Sequence, residues 1–373
     1  MSGNEEWGMG NGGIHLAPRP SPLTPLTVGL VYDRFGDAPP PPGAPPDWDA
    51  EYEPEETVAA LEAALRRLGH APVRIGNVPA LLARLAAGDL RLDAAVSIAE
   101  SLGGRNREAH APVLLELAGV PTVFSDALAL SVSLDKHLTK TLARAADVRT
   151  PDWQVLTPGE TTVALPLPVF VKPRYEGTAK GIAPSSVCRT AAEVAAEAAR
   201  QHALYRQDLL AEAFVGGAEF TVGVVGTGAS ARALPVLQRA VEDATGIGLH
   251  ALERHEAADA PFAWRADGVL TPEVEAALQH DALAVHRALG LADVSRSDFR
   301  LGADGAPQFL EVNPLPTFAP DGTFAILAEL AGVPYDAFLA DLLAEALARV
   351  TAEPAPPPNR TSGPDALPDD PRG

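Results

Sequence analysis

The sequence predicts a mixed fold, α/β at its N-terminal side and α+β beyond. Three observations carry this reading. Between residues 26 and 125, short apolar runs alternate with segments of helical spacing, as in strands joined by crossover helices. Runs 209–214 and 220–225 read as strands with a Gly216-Gly217 turn between them. Residues 295–313 hold two apolar-alternating runs around Asp304-Gly305, a dipeptide suited to a two-residue type I′ hairpin turn. A chain of 373 residues suits two or three such units.

In chain order, residues 1–25 are rich in Gly and Pro and read as a disordered extension. The first unit, 26–125, begins with an apolar strand at 26–32, followed by a loop with six prolines between 38 and 46. A helix at 54–68 has Val58, Leu61, Leu65 and Leu68 on one face and stops at Gly69. A strand at 73–75, a helix at 78–87, a strand at 92–98, a helix at 108–118 and a strand at 121–124 complete a parallel sheet. The second unit, 126–225, holds a helix at 135–146, a strand at 169–172, a glycine-bearing loop at 175–181 and a helix after the capping box Thr190–Glu193. The third, 226–352, holds a helix capped at Thr271-Pro272, the hairpin and a final helix near 335–350. Residues 353–373, rich in proline and charge, read as a disordered tail.

Composition narrows the function. The net charge of −20 disfavours nucleic-acid binding, which needs basic surface. The single cysteine, Cys188, excludes an intramolecular disulfide and suits a reducing compartment. No apolar run reaches 18 residues and the N-terminus has no signal-peptide pattern, so a soluble cytoplasmic protein is expected. The histidines lack HExxH spacing, and His110, His202 and His286 read as structural. Gly226-Thr-Gly228 lacks the third glycine of a dinucleotide fingerprint and reads as a turn.

The hairpin carries the chemistry. A two-residue turn would oppose Asp298 to Glu311 and Arg296 to Asn313, all on one face. Two facing carboxylates repel, and their Cβ separation of roughly 5 Å suits a divalent ion between them. Mg²⁺ is bound by one or two carboxylates plus substrate phosphates, and the Asn313 carbonyl is a natural third ligand. The alternative is a solvated hairpin whose acids are neutralised by Arg296 and Arg300. Lys172, at a strand end before the 175–181 loop, reads either as part of a phosphate-binding device or as a surface lysine before a turn.

The ordered set is more specific than its parts. Lys136 stands in Leu134-Asp-Lys-His-Leu-Thr-Lys140 and Lys172 in Val169-Phe-Val-Lys-Pro173. Glu212-Ala-Phe-Val-Gly-Gly-Ala-Glu219 follows, then Arg296-Ser-Asp298 and Glu311-Val-Asn313. This resembles the ATP-grasp ligases, and within them the D-alanine–D-alanine ligase family, over about 55–345. The resemblance implies a three-domain ATP-grasp fold whose first domain is the N-terminal parallel sheet. It implies that Lys136 and Lys172 contact ATP phosphates under a lid containing Glu176 and Thr178. Glu212 and the backbone at Val215 would hold adenine, and Glu219 the ribose. Asp298, Glu311 and Asn313 would bind two Mg²⁺ ions, Mn²⁺ being an alternative, and Arg296 would stabilise the acyl phosphate and the tetrahedral intermediate. The implied reaction joins two small-molecule amino acids, D-alanine first among them, for cell-wall precursor synthesis. A ligase for another amino acid or peptide, or a non-catalytic ATP-binding protein, is the alternative. A homodimer through the first unit is also implied.

The chain departs from the family around the amino-acid substrates. The Gly-rich, Glu-containing N-terminal motif is not visible, and Val31-Tyr-Asp-Arg-Phe35 stands near its place. Thr178-Ala179 replaces the usual lid serines, and Pro314-Leu-Pro-Thr-Phe318 replaces the usual Thr-x-Pro-Gly-Met. The 246–254 loop lacks the Tyr-x-x-Lys pattern, with Arg254 a stand-in for its lysine.

Overall fold

The structure is a computed structural model and describes residues 24–101, 103–253, 263–265 and 268–352. Nearly all of the expected N-terminal extension, the C-terminal tail and Arg254 lie outside these residues. The first sheet takes β1 (Thr27–Tyr32), β2 (Ala71–Gly76), β3 (Ala94–Ile98) and β4 (Thr122–Val123) in the parallel order β2-β1-β3-β4. Between them run α1 (Glu55–Arg67), α2 (Val78–Ala87) and α3 (His110–Leu117). Alternation along β1 sends Val28, Leu30 and Tyr32 to one core and Val31 to the other, where it meets Ile75, Leu81 and Leu115. Both faces are therefore covered, which is why β1 reads as a continuous apolar run.

Next come α4 (Ala127–Leu134) and α5 (Lys136–Ala145), capped by Asp126 and Asp135. A second sheet takes β5 (Trp153–Leu156), β6 (Val169–Pro173), β7 (Val187–Cys188) and β8 (Leu209–Ala213) in the antiparallel order β5-β8-β6-β7. Helix α6 (Ala191–Tyr205) covers it through Val194 and Ala198.

The third sheet is built on β9 (Glu219–Val225), which pairs with β10 (Arg232–Ala233) and β11 (Leu237–Arg239). A two-stranded pair, β12 (Val241–Glu242) with β13 (Trp264–Arg265), brackets α7 (Leu249–Glu253). After α8 (Pro272–Ala288), the hairpin strands β14 (Val294–Leu301) and β15 (Pro307–Asn313) join the third sheet through β9. The chain ends its described part with α9 (Thr323–Leu330) and α10 (Tyr335–Ala352). Helix α10 packs Phe338, Leu342, Leu343 and Leu347 into the core that holds Val28 and Leu30 of β1 and Leu61 and Leu65 of α1.

Two sequence expectations need correction. The segments at 209–214 and 220–225 are not hairpin partners: β8 lies in the second sheet and β9 in the third. The dividing line at 225 therefore cuts after a strand that belongs with the hairpin. Gly217 is required for close approach rather than for a turn, since a Cβ there would lie 2.1 Å from the Leu301 carbonyl oxygen.

The hairpin turn also differs. Gly302 N–H donates to Ala306 O at 2.9 Å and Gly305 N–H to Gly302 O at 2.9 Å, closing a three-residue loop. Only Gly305 has positive φ (77°), whereas a type I′ turn needs it at both central residues. The longer loop shifts Phe299 opposite Phe309. Leu310 is then left without a partner, as a bulge, and Asp298 opposes Glu311 as expected.

Candidate active site

The site grows from strand ends. Asp135 accepts from Arg174 Nε and Nη2, both at 2.7 Å, besides capping α5. This clamp sets Lys136, the first residue of α5, beside the end of β6. Lys136 Nζ donates to the Glu176 carbonyl and lies 3.4 Å from Glu311 Oε2. Lys172, near the end of β6, lies 2.8 Å from Glu212 Oε1 and 3.7 Å from Glu311 Oε2.

Lys140, unassigned by the sequence reading, completes the frame. It is fully buried, with Nζ 2.7 Å from Glu212 Oε2 and 2.8 Å from Thr150 Oγ1. Its position one turn after Lys136 on the same helical face is the signal that would have found it. Burial pulls the Lys140 ammonium down to about 8 despite Glu212. Burial opposes ionisation of Glu212, yet Lys140 and Lys172 hold it below the usual carboxylate range. Three ammoniums thus share two carboxylates, leaving a surplus positive charge where Lys136 and Lys172 meet Glu311. Such a surplus suits a phosphate.

Across the hairpin, Asp298 accepts from Thr221 Oγ1 at 2.7 Å and from Arg296 Nη2 at 3.2 Å. Arg296 Nε is buried and has no hydrogen-bond partner. Burial would raise Glu311, but Lys136, Lys172 and Arg296 hold it down to about 2. Asn313 Oδ1 accepts from Leu315 N–H at 2.8 Å. Two carboxylates and an amide oxygen on one hairpin form a hard-oxygen donor set that fits Mg²⁺. Among the described residues no three His, Cys, Asp or Glu side chains cluster as a metal site.

These residues line a cleft of about 1030 Å³. Lys172, Thr178, Glu212, Val215, Glu219, Arg296, Asp298, Glu311 and Asn313 all border it, whereas Lys136 and Glu176 border a smaller cavity beside it. Phe170 and Phe214 stack on one wall, with ring centroids 6.5 Å apart. Because of the bulge, Leu310 and Glu311, adjacent in sequence, both line the cleft. The Glu212 carboxylate, read as an adenine ligand, is here engaged by two lysines. Glu219 accepts from Arg300 Nε at 3.0 Å and Nη2 at 2.7 Å. The Glu176 carboxylate pairs with Lys180 at 2.5 Å and accepts from Gln207 Nε2 at 2.7 Å.

The lid is tied to the loop before α1. Glu51 Oε1 accepts from Gly177 N–H at 2.6 Å and Arg107 Nη2 at 2.7 Å, and Glu51 Oε2 meets Lys180 Nζ at 3.1 Å. Asp47 accepts from Gly181 N–H at 2.9 Å and Tyr205 Oη at 2.6 Å. Thr178 and Ala179 both hold positive φ, 49° and 59°, a strained pair at the lid tip. The N-terminal acid sought at 31–35 is not in the cleft: Asp33 accepts from Ser101 N–H at 2.8 Å. Glu51 and Glu53 line it instead. Glu53 accepts from Thr57 Oγ1 at 2.7 Å and Thr317 Oγ1 at 2.9 Å. Their place just before α1 was the available signal, obscured by the proline-rich loop preceding it.

Residues 141–344 match the family described as D-ala D-ala ligase C-terminus. A D-alanine–D-alanine ligase from Cupriavidus pinatubonensis is 35% identical over 237 residues, 62% of this chain and 70% of that relative. An uncharacterized protein, y4sG, from Sinorhizobium fredii is 29% identical over 321 residues, 84% of this chain and 92% of its own length. The solved D-alanine–D-alanine ligase from Bacillus anthracis, in complex with ATP, superposes with a TM-score of 0.65 at 19% identity, covering 88% of this chain and all but 1% of its own, 99%. The VanG D-Ala:D-Ser ligase from Enterococcus faecalis gives 0.65 at 16% identity, covering 87% of this chain and 100% of its own. The fold and the site converge with the sequence matches: the chain belongs to the D-alanine–D-alanine ligase family of ATP-dependent, ADP-forming ligases.

Proposed function

We propose that this ligase joins two amino acids through an acyl phosphate, with D-alanine the first candidate for both. The observation that carries the reading is the charge frame. Two lysines converge on Glu311, and across the hairpin from it stands Asp298 beside an arginine whose buried Nε has no partner. ATP would lie with adenine against Phe170, Phe214 and the Val215 backbone, ribose toward Glu219, and phosphates toward Lys136 and Lys172 under Thr178. Asp298, Glu311 and Asn313 would hold Mg²⁺, which supplies charge neutralisation of the phosphates when bound. The lysines hold the γ-phosphate in line with the attacking carboxylate, and the lid excludes water. Arg296 stabilises the oxygen charge that develops as the amine attacks the acyl carbon. No protein nucleophile is required.

The test is phosphate release from ATP over a panel of D- and L-amino acids, singly and in pairs. D-alanine stimulating release and yielding a dipeptide supports the proposal, and silence across the panel sinks it. The panel extends beyond D-alanine because Glu53, Thr317 and Asp321 border the cleft in or beside segments that depart from the family. A homodimer is proposed through the first unit, where Val113 and Leu117 of α3 are exposed. No described helix is long and apolar enough to cross a membrane, and a cytoplasmic site of action fits ATP consumption.

A further inference from the structure

Beside the main cleft lies a cavity of about 30 Å³ bordered by Glu100, Glu108, Lys136, Arg296, Glu311 and Asn313, among others. That is room for one ammonium group or a water or two. It adjoins Lys136, Glu311 and Arg296, which in the reading above surround the phosphoryl group as it passes to the substrate carboxylate. The acyl carbon under attack therefore sits at its mouth.

Most carboxylates around this cavity already have cations. Glu51 is held by Arg107 and Lys180, Glu176 by Lys180, and Glu311 by Lys136 and Lys172. Glu100 and Glu108 differ. They are only 8% and 6% exposed, and burial together with the charge of Glu108 favours a proton on Glu100. Arg107, the nearest cation in sequence, spends Nη1 on Tyr175 O at 2.6 Å and Nη2 on Glu51 at 2.7 Å. Glu108 Oε2 is buried without any hydrogen-bond partner. A buried carboxylate oxygen with an unfilled lone pair is costly unless a donor arrives.

We propose that Glu108, paired with Glu100, is the base that receives the proton of the attacking amine. The nucleophilic amino acid arrives as an ammonium, whose lone pair is unavailable until a proton leaves. Other groups facing the pair are Glu51 and Glu53 from the loop before α1, Arg107 from its own segment and Lys136 from α5. Burial raises both carboxyls above the usual range, and Glu51 raises them further against the pull of Arg107. The singly protonated pair takes one proton from R–NH₃⁺ and becomes neutral. The freed amine forms the C–N bond as the C–O bond to phosphate breaks. The second amine proton leaves with the phosphate, and the pair then returns its proton to solvent.

This inference rests on the acyl-phosphate reading, and hydroxylamine separates the two. Hydroxylamine is neutral at pH 7 and traps an acyl phosphate as a hydroxamate without needing a base. Wild-type enzyme with ATP and the amino-acid panel is expected to give both dipeptide and hydroxamate. In Glu108→Gln, dipeptide formation is expected to fall about 100-fold or more while hydroxamate formation stays within about threefold. Glu100→Gln repeats the comparison should Glu108→Gln fold poorly, because it removes the other member of the pair. If both products fall together in both variants, or neither falls, the pair is not the base. If wild-type enzyme gives no hydroxamate with any amino acid, the acyl-phosphate reading itself fails and this inference goes with it.

Discussion

Asp298 stands directly across the hairpin from Glu311, yet their closest ion pairs differ: Asp298 pairs with Arg296, and Glu311 with Lys136 and Lys172. Each carboxylate is thus held apart from the other. Glu311→Gln removes one charge from this opposition and one hard donor. ATP turnover measured by phosphate release is expected to drop roughly 100- to 1000-fold, while thermal unfolding stays cooperative. Full activity in the variant would sink the metal assignment.

Among the described residues Glu212 is the carboxylate that pairs with Lys140 and the nearer of the two that pair with Lys172. Glu212→Gln leaves two buried ammoniums short of a counter-charge. The expected destabilisation is about 3–5 kcal/mol, read as a shift of the urea midpoint. Adding Lys140→Met to Glu212→Gln removes one stranded charge, so the double variant is expected to be more stable than the single.

His286 links the helix α8 to β14, with Nδ1 2.8 Å from Ser295 Oγ and Nε2 3.2 Å from Gly226 O. Burial pushes its imidazole down to about 4, with the Gly226 carbonyl opposing. The unfolded chain therefore takes up this proton first as pH falls. The contribution is fully present above about 6.5 and is lost progressively toward 4, amounting to roughly 2 kcal/mol at pH 5. Denaturant titrations at pH 7 and pH 5 check it: His286→Gln is expected to show a smaller difference between the two than wild type does.

Leu310 reaches the cleft only because it is the unpaired residue of the bulge. Truncation to alanine is expected to weaken ATP binding by about 1–2 kcal/mol, or roughly 5- to 30-fold in Kd, with little change in kcat. Isothermal titration with a non-hydrolysable ATP analogue measures this. An unchanged affinity would show that Leu310 does not contact the bound nucleotide.

The hairpin shows how much the sequence could carry. Asp298 and Glu311 were correctly opposed, but through a two-residue turn that does not form. A three-residue loop and the Leu310 bulge shift the register by compensating amounts. Local propensity favours Asp-Gly at a tight turn. Packing decides otherwise, since Phe309 must enter the core beside Phe299 while Glu311 must face Lys136. The parallel first sheet was legible because two covered faces leave an apolar run. Glu51 and Glu53 were not, because their roles depend on a loop folding back over a lid more than a hundred residues away. Lys140 was overlooked for a related reason: a lysine on an amphipathic helix reads as solvated until Glu212 is known to lie beneath it.

Helix α10 closes the core that β1 opens, so the first strand and the last described helix share one apolar interior. During synthesis the ribosome delivers β1 some three hundred residues before its covering helix. Until α10 emerges, the α1 side of the first sheet lacks much of its cover. Such exposed apolar surface on a growing chain is a target for chaperones and for aggregation. The order of translation thus makes the sheet built on β1 long before the helix that seals it.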